Sequence, residues 1–252
     1  MQTAPPPELT HAFKLLELHQ KVHRPRFSGW DHIPDERPLL FVGNHTIGGI
    51  LDVPLLLRAL WEQKGIFVNA LGDRAHFKVP GWGSVLKRFG VVEGSRDNCA
   101  ALFDAGACVM VFPGGAREVA KKRSEVNQLL WGERKGFAAM AVQHAVTIVP
   151  FAEVGVEQAL DIVWDADDIA GTPLGKILDA MGFREDLRIP FVRGLGPTPI
   201  PRPERFDFHF APPIPTKGID AQDPNAVWEV REATRRAVEE AMAMLLKQRQ
   251  RP

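Results

Sequence analysis

The sequence predicts an α/β protein whose central sheet is mostly parallel and covered by helices on both faces. Two observations carry this. Continuous apolar runs of strand length alternate along the chain with amphipathic helical patterns. Several of those runs also lack the polar alternation of a sheet with one wet face, so both faces must be covered.

Taken in order, residues 8–23, "ELTHAFKLLELHQKVH", place Leu9, Phe13, Leu16 and Leu18 near helical spacing after a proline-rich lead, which predicts an amphipathic helix. "RPLLFVGN" (37–44) reads as a buried strand. "ILDVPLLLRALWEQ" (50–63) reads as a helix, with Pro54 tolerable only in its first turn. "GIFVNAL" (65–71) is a second buried strand, and "VPGWGSVLKRFG" (79–90) a short helix between glycines. "SRDNCAALFDAG" (95–106) opens on a serine cap and stops at a glycine. "ACVMVFPGG" (107–115) is a third strand running into a turn. "ERKGFAAMAVQHA" (133–145) is a helix and "VTIVPFAEVG" (146–155) a fourth strand. Residues 156–204 read as irregular and rich in proline and glycine. "RFDFHFAPPI" (205–214) alternates like an edge or half-buried strand. Residues 221–249 form a long, charged, amphipathic helix. No repeat of fixed period appears and no linker divides residues 1–252, so a single domain is expected.

Composition narrows the function. With 31 basic and 31 acidic residues the formal charge is zero, which speaks against bulk nucleic-acid binding. Two cysteines, Cys99 and Cys108, provide neither a disulfide framework nor metal-ligand spacing, and a reducing cytoplasm is the expected setting. The first residues lack the basic start and apolar stretch of a signal peptide. No run of about eighteen apolar residues exists, so membrane contact, if made, is peripheral. Its candidates are the N-terminal helix and "MGFREDLRIPFVRGLG" (181–196), which mixes Phe183, Ile189, Phe191 and Val192 with arginines. His19 and His23 stand one helical turn apart without an evident third ligand, so no metal site is expected. "GNHTIGG" has the wrong glycine spacing for a dinucleotide fingerprint.

Ligands of open α/β sheets gather at the carboxyl ends of strands. Three polar clusters fall at such ends: Asn44 and His45 in "FVGNH", Glu93, Ser95 and Arg96 in "FGVVEGSR", and Gly114, Gly115, Arg117 and Glu118 in "VFPGGARE". With "TIVPFAEVG" these make four blocks in an order that resembles the glycerolipid acyltransferase superfamily, typified by lysophosphatidate acyltransferases. The Gly114–Gly115 pair, Glu118 and "IPRPERFDFHFAPPI" are closest to the branch of diacylglycerol acyltransferase type two and the phytyl ester synthases. The likeness covers about residues 35–215.

The resemblance implies a glycerolipid acyltransferase-like fold and transfer of an acyl group from acyl-CoA or acyl carrier protein to a lysophospholipid or other lipid alcohol. No metal or redox cofactor is implied. His45 is then the general base and Asp52 its orienter. Arg96 and Arg117 would clamp phosphate, and Asn44, Gly114, Gly115 and Glu118 would line the substrate site. Backbone N–H groups beside the glycine turn are candidate oxyanion donors. The acyl chain would lie in an apolar tunnel beside "VPGWGSVLKRFG", and the protein would work in the cytoplasm at the inner face of a membrane. Two rival readings are a lipid-binding protein that kept the fold without the chemistry, and an acyl-thioester hydrolase.

One block departs from the family pattern. Counting from His45, the family's aspartate position holds Ile50, and the nearby carboxylate is Asp52, two residues later. A seven-residue separation in a continuous helix is a rise of about 10 Å, too far for contact. Gly48 and Gly49 can adopt backbone angles closed to other residues. The expectation is therefore a bulge at these glycines, a helix starting near Ile50, and Asp52 within hydrogen-bond reach of His45. Glu118 or Asp73 is the alternative orienter.

Overall fold

The computed structural model describes residues 13, 14, 16–47, 49–78, 80–181 and 188–250. Its main sheet contains β1 (Arg26–Ser28), β2 (Leu39–Gly43), β3 (Val68–Gly72), β4 (Val91–Glu93), β5 (Cys108–Val111), β6 (Thr147–Val154) and a late strand introduced below. Outside it, β7 (Asp161–Trp164) and β8 (Phe191–Arg193) pair with each other antiparallel. The late strand is β9 (Asp207–Phe210), and the seven run in the order β1-β9-β6-β2-β5-β3-β4. Neighbours β6, β2, β5, β3 and β4 are parallel, whereas β9 meets β6 antiparallel. The mostly parallel α/β architecture predicted from the apolar runs is the one observed.

The longer helices are α1 (Glu17–His23), α2 (Val53–Lys64), α3 (Trp82–Arg88), α4 (Arg96–Asp104), α5 (Gly136–Gln143), α6 (Pro173–Ala180) and α7 (Pro224–Arg249). Their starts follow local chemistry. Ser95 accepts the Asn98 N–H at the head of α4, and Asp223 accepts the Asn225 N–H before α7. Pro54 falls in the first turn of α2, where its missing N–H costs nothing.

The sheet separates two apolar layers. On one side Leu40, Val42, Val109 and Ile148 meet α4, α5 and α7 through Leu102, Ala138, Val238 and Met242. On the other, Leu39, Phe41, Met110 and Val149 meet α2 through Leu55, Leu56 and Leu60 and meet Phe208 and Phe210 of β9. Every residue of β2 is buried, so consecutive side chains point into opposite layers. Each fully buried Leu or Phe contributes about 1.5–3 kcal/mol. Gly43 closes β2 because a β-carbon there would stand 2.5 Å from the Phe151 ring.

Three expectations need correction. The strand at 205–214 is interior rather than at an edge: β1 pairs with its outer side, and a three-residue strand carries too little periodicity to be read locally. Residues 156–204 are partly ordered into β7, β8, α6 and single helical turns. The first helix is seen over Glu17–His23, and the remainder of 8–23 lies largely outside the described residues. Its two histidines are engaged: a ring nitrogen of His19 bonds the Leu51 carbonyl at 2.5 Å, and His23 Nδ1 bonds the Glu204 carbonyl at 2.9 Å.

Candidate active site

His45 follows the carboxyl end of β2, beside which β5 also ends while the parallel β6 runs on to Val154. Its imidazole lies flat on Phe112, the residue after β5, with ring centroids 4.2 Å apart and planes 11° from parallel. On another side it meets Gly49. A β-carbon at 49 would stand 2.5 Å from His45 Cε1 and 2.7 Å from Nε2, so only glycine leaves the ring in place. Gly49 also has φ of +60°. Gly48 lies outside the described residues.

The expected bulge is therefore present at Gly49, but its consequence differs. The helix does not run through from His45, and α2 begins after Asp52, which is its N-cap. Asp52 Oδ1 accepts the Val53 N–H at 2.8 Å, and Oδ2 accepts the Thr46 hydroxyl. No hydrogen bond joins Asp52 to the His45 ring: Nδ1 is buried without a partner among the described residues. Capping competes for the carboxylate, because an unpaired helix N-terminus costs about 1 kcal/mol. Asp52 acts on His45 through its charge. Burial pushes the imidazole down to about pKa 4; the Asp52 charge partly opposes this, and the positive charges of Lys121 and His76 reinforce it.

Glu118 reaches His45 by its backbone rather than its ring. Its Oε2 accepts the His45 N–H at 2.9 Å and its Oε1 accepts the Leu130 N–H at 3.0 Å. It is fully buried, and desolvation raises its carboxyl to about 7 against the opposing pull of Lys121. Gly114 makes room for it, since a β-carbon there would lie 2.2 Å from the Glu118 side chain. Gly115 turns with φ of +50°, and its N–H is already given to Phe112 O at 2.9 Å, so that N–H is not open to an oxyanion. Asp73 follows β3 with an exposed side chain.

Asn44 faces inward. Its Nδ2 donates to the Glu153 carbonyl and its Oδ1 accepts the Glu153 N–H, both at 2.9 Å, stapling the end of β2 to β6. Buried and held to β6 in this way, Asn44 supports the loop rather than lining a substrate site. Arg117 is also occupied, paired with Glu125 and donating to the Ala120 carbonyl at 3.4 Å. Arg96 starts α4 exposed, with no ion pair among the described residues.

Several contributors were not legible in sequence. Phe112 had no polar signal. Lys121 is fully buried and bonded to Glu157 at 2.7 Å, although it stands in the charged run "AKKRSE". Thr46 holds Asp52. Glu153 is buried beneath the site, and a lone acid in the apolar run "TIVPFAEV" was the available clue.

Comparison with known proteins places this geometry. Residues 24–153, just over half of the chain and containing each of these site residues except Glu157, match the family model described as acyltransferase. The chain belongs to the acyltransferase family. Over 244 residues this acyltransferase-family chain is 31% identical to phytyl ester synthase 1, chloroplastic, of Arabidopsis thaliana, covering 86% of the chain and 34% of that protein. It is 30% identical over 173 residues to the Bos taurus protein named DGAT1/2-independent enzyme synthesizing storage lipids, covering 68% and 48%. The chain thus spans between a third and a half of the length of these curated relatives. In fold it is similar to the crystal structure of the 1-acyl-sn-glycerophosphate acyltransferase of Thermotoga maritima, with a TM-score of 0.52 at 18% identity over 92% of this chain and 81% of that one.

Proposed function

We propose that the protein is a lipid O-acyltransferase in which His45 is the general base. The acyl group moves from a thioester, acyl-CoA or acyl carrier protein, to the hydroxyl of a lysophospholipid or other lipid alcohol. The observation that carries this is the imidazole at the end of β2, kept neutral by burial and seated between Phe112 and Gly49. A neutral imidazole can take the hydroxyl proton on Nε2 as the oxygen attacks the thioester carbonyl. The tetrahedral intermediate then collapses, the thiolate leaves, and the proton returns through the imidazolium. Asp52 favours that imidazolium by charge. Arg96, exposed and without an ion pair among the described residues, is the better candidate for a phosphate than Arg117.

Membrane contact is part of the proposal. No described helix is long and apolar enough to cross a membrane. The β7–β8 pair exposes Trp164 and Phe191, whose rings meet edge to face at 6.3 Å, with Ile189, Leu195 and Ile200 exposed nearby in sequence. Val192 instead packs on the core, and Phe183 lies outside the described residues. Trp82 and Val85 are exposed on α3, where an acyl chain is expected to lie.

The test is incubation of purified protein with labelled acyl-CoA and a total lipid extract. Labelled lipid ester supports the proposal and identifies the acceptor. Label released only as free fatty acid would establish the hydrolase instead, and acyl-CoA left intact would point to lipid binding without chemistry.

A further inference from the structure

Glu153 occupies a place that neither the motif blocks nor the proposed chemistry explains. It lies near the carboxyl end of β6, opposite Phe208 of β9, and is 2% exposed. Among the described residues neither of its carboxyl oxygens has a hydrogen-bond donor. Its backbone is held on both sides by Asn44, the residue before His45, so its side chain is fixed relative to the imidazole. The group it meets is the Asp52 carboxylate, with the Glu118 and Lys121 charges also acting on it. Asp52 already accepts from Thr46 and Val53.

Two buried carboxyl groups in contact cannot both ionise without a large cost, and one of them keeps a proton. Asp52 has two donors stabilising its charge, and Glu153 has none. The proton therefore belongs on Glu153. So placed, it turns a repulsive contact between two acceptors into an O–H donated by Glu153 to Asp52. Burial and the Asp52 charge both hold the Glu153 carboxyl well above the usual carboxylate range.

We propose that Glu153 is a positioning residue for His45: as a neutral carboxylic acid it is the third donor to Asp52, and it limits how strongly that carboxylate draws a proton onto the imidazole. The inference rests on His45 as the base of the proposed acyl transfer. The groups acting on His45 are Asp52, Lys121 and His76. With Glu153 neutral, Asp52 carries the one negative charge of the pair but shares it among three donors. His45 then stays neutral until well below its ordinary range, and gains a proton only when a reacting hydroxyl supplies one.

The test titrates His45 directly, by the carbon-bound ring-proton resonance of isotope-labelled histidine in the full chain, and in parallel through the acid limb of kcat/KM. Glu153→Gln keeps a neutral donor to Asp52, and its midpoint should stay at the wild-type value. Glu153→Leu removes the donor, and its midpoint should rise by about one unit, a tenfold tighter hold on the proton. A Gln variant whose midpoint falls would show that Glu153 carried a charge, and a Leu variant unchanged from wild type would show that it only fills space. Either overturns the proposal. If the Leu variant does not fold, infrared spectroscopy decides: at a pH well above the Glu118 value of about 7, the carbonyl band of a protonated carboxylic acid must be present in wild type and lost in Glu153→Gln. The resonance titration needs no turnover, so its failure is distinct from a failure of the acyltransferase reading, which the labelled-lipid experiment detects.

Discussion

The carboxylate of Glu118 holds the backbone N–H of His45 at 2.9 Å, across 73 positions of sequence. Through its other oxygen it holds Leu130, so one buried acid ties the loop after β2 to the loop after β5. Glu118→Ala should leave two N–H groups without an acceptor and cost about 2–4 kcal/mol. Urea unfolding and acyl transfer should fall together. A variant with wild-type stability would mean that water or a neighbouring group replaces the carboxylate.

His45→Ala should abolish acyl transfer while the fold persists. Loss of a general base lowers the rate by about 10²–10⁴-fold. Single-turnover measurement with labelled thioester and an accepted alcohol checks this, with circular dichroism as the control for folding. Near-normal turnover would remove His45 from the mechanism.

Gly49→Val combines two penalties. A side chain at φ of +60° costs about 1–2 kcal/mol. Its β-carbon also overlaps the imidazole and must displace it. Misplacing a reacting group by about 1 Å costs on the order of a hundredfold in rate. Activity should therefore fall much further than thermal stability, and equal losses in both would show that the glycine matters only to the loop.

The two arginines separate by their surroundings. Arg96→Ala should raise KM for a phosphate-bearing substrate with kcat little changed. Arg117→Ala should leave KM unchanged, because its guanidinium already serves Glu125 and Ala120. Steady-state kinetics on both variants with the same donor tests the pair, and the reverse pattern would return the phosphate site to Arg117.

The pH dependence has a defined sign. His45 is depressed from 6.5 to about 4, so kcat/KM should be level near neutrality and fall only as the pH drops through about 4. Its stability contribution is present above 6.5 and lost as the pH falls towards 4, because the unfolded chain takes up the proton first. Glu118 acts oppositely: raised from 4.5 to about 7, it contributes most below 4.5 and loses that contribution as the pH rises through about 7. Replacing His45 by Phe should therefore reduce the stability lost between neutral and acid pH. Urea midpoints for both proteins at each pH measure the difference, and parallel curves would contradict the lowered imidazole pKa.

Sequence alone was enough for the α/β class, the four long apolar strands, the helix start at Ser95, the place of Pro54 in a first turn, and the gathering of His45, Arg96 and the Gly114–Gly115 turn at strand ends, although α2 begins at Val53 rather than near Ile50. All of these rest on signals within a few residues: alternation, helical spacing, caps and glycines, which local sterics and burial translate directly into backbone. Gly49 was legible for the same reason. The partners were not. Asp52 was expected on the His45 ring, yet it caps α2. Glu118 was expected to line a substrate site, yet it holds the His45 backbone. Arg117 met Glu125, β9 moved inside the sheet, and Glu153 and Lys121 were buried. Each of these is settled by which polar groups lose water together when distant segments pack. A buried donor or acceptor must be satisfied by whatever lies within about 3 Å, and the chain's linear order does not specify what that is.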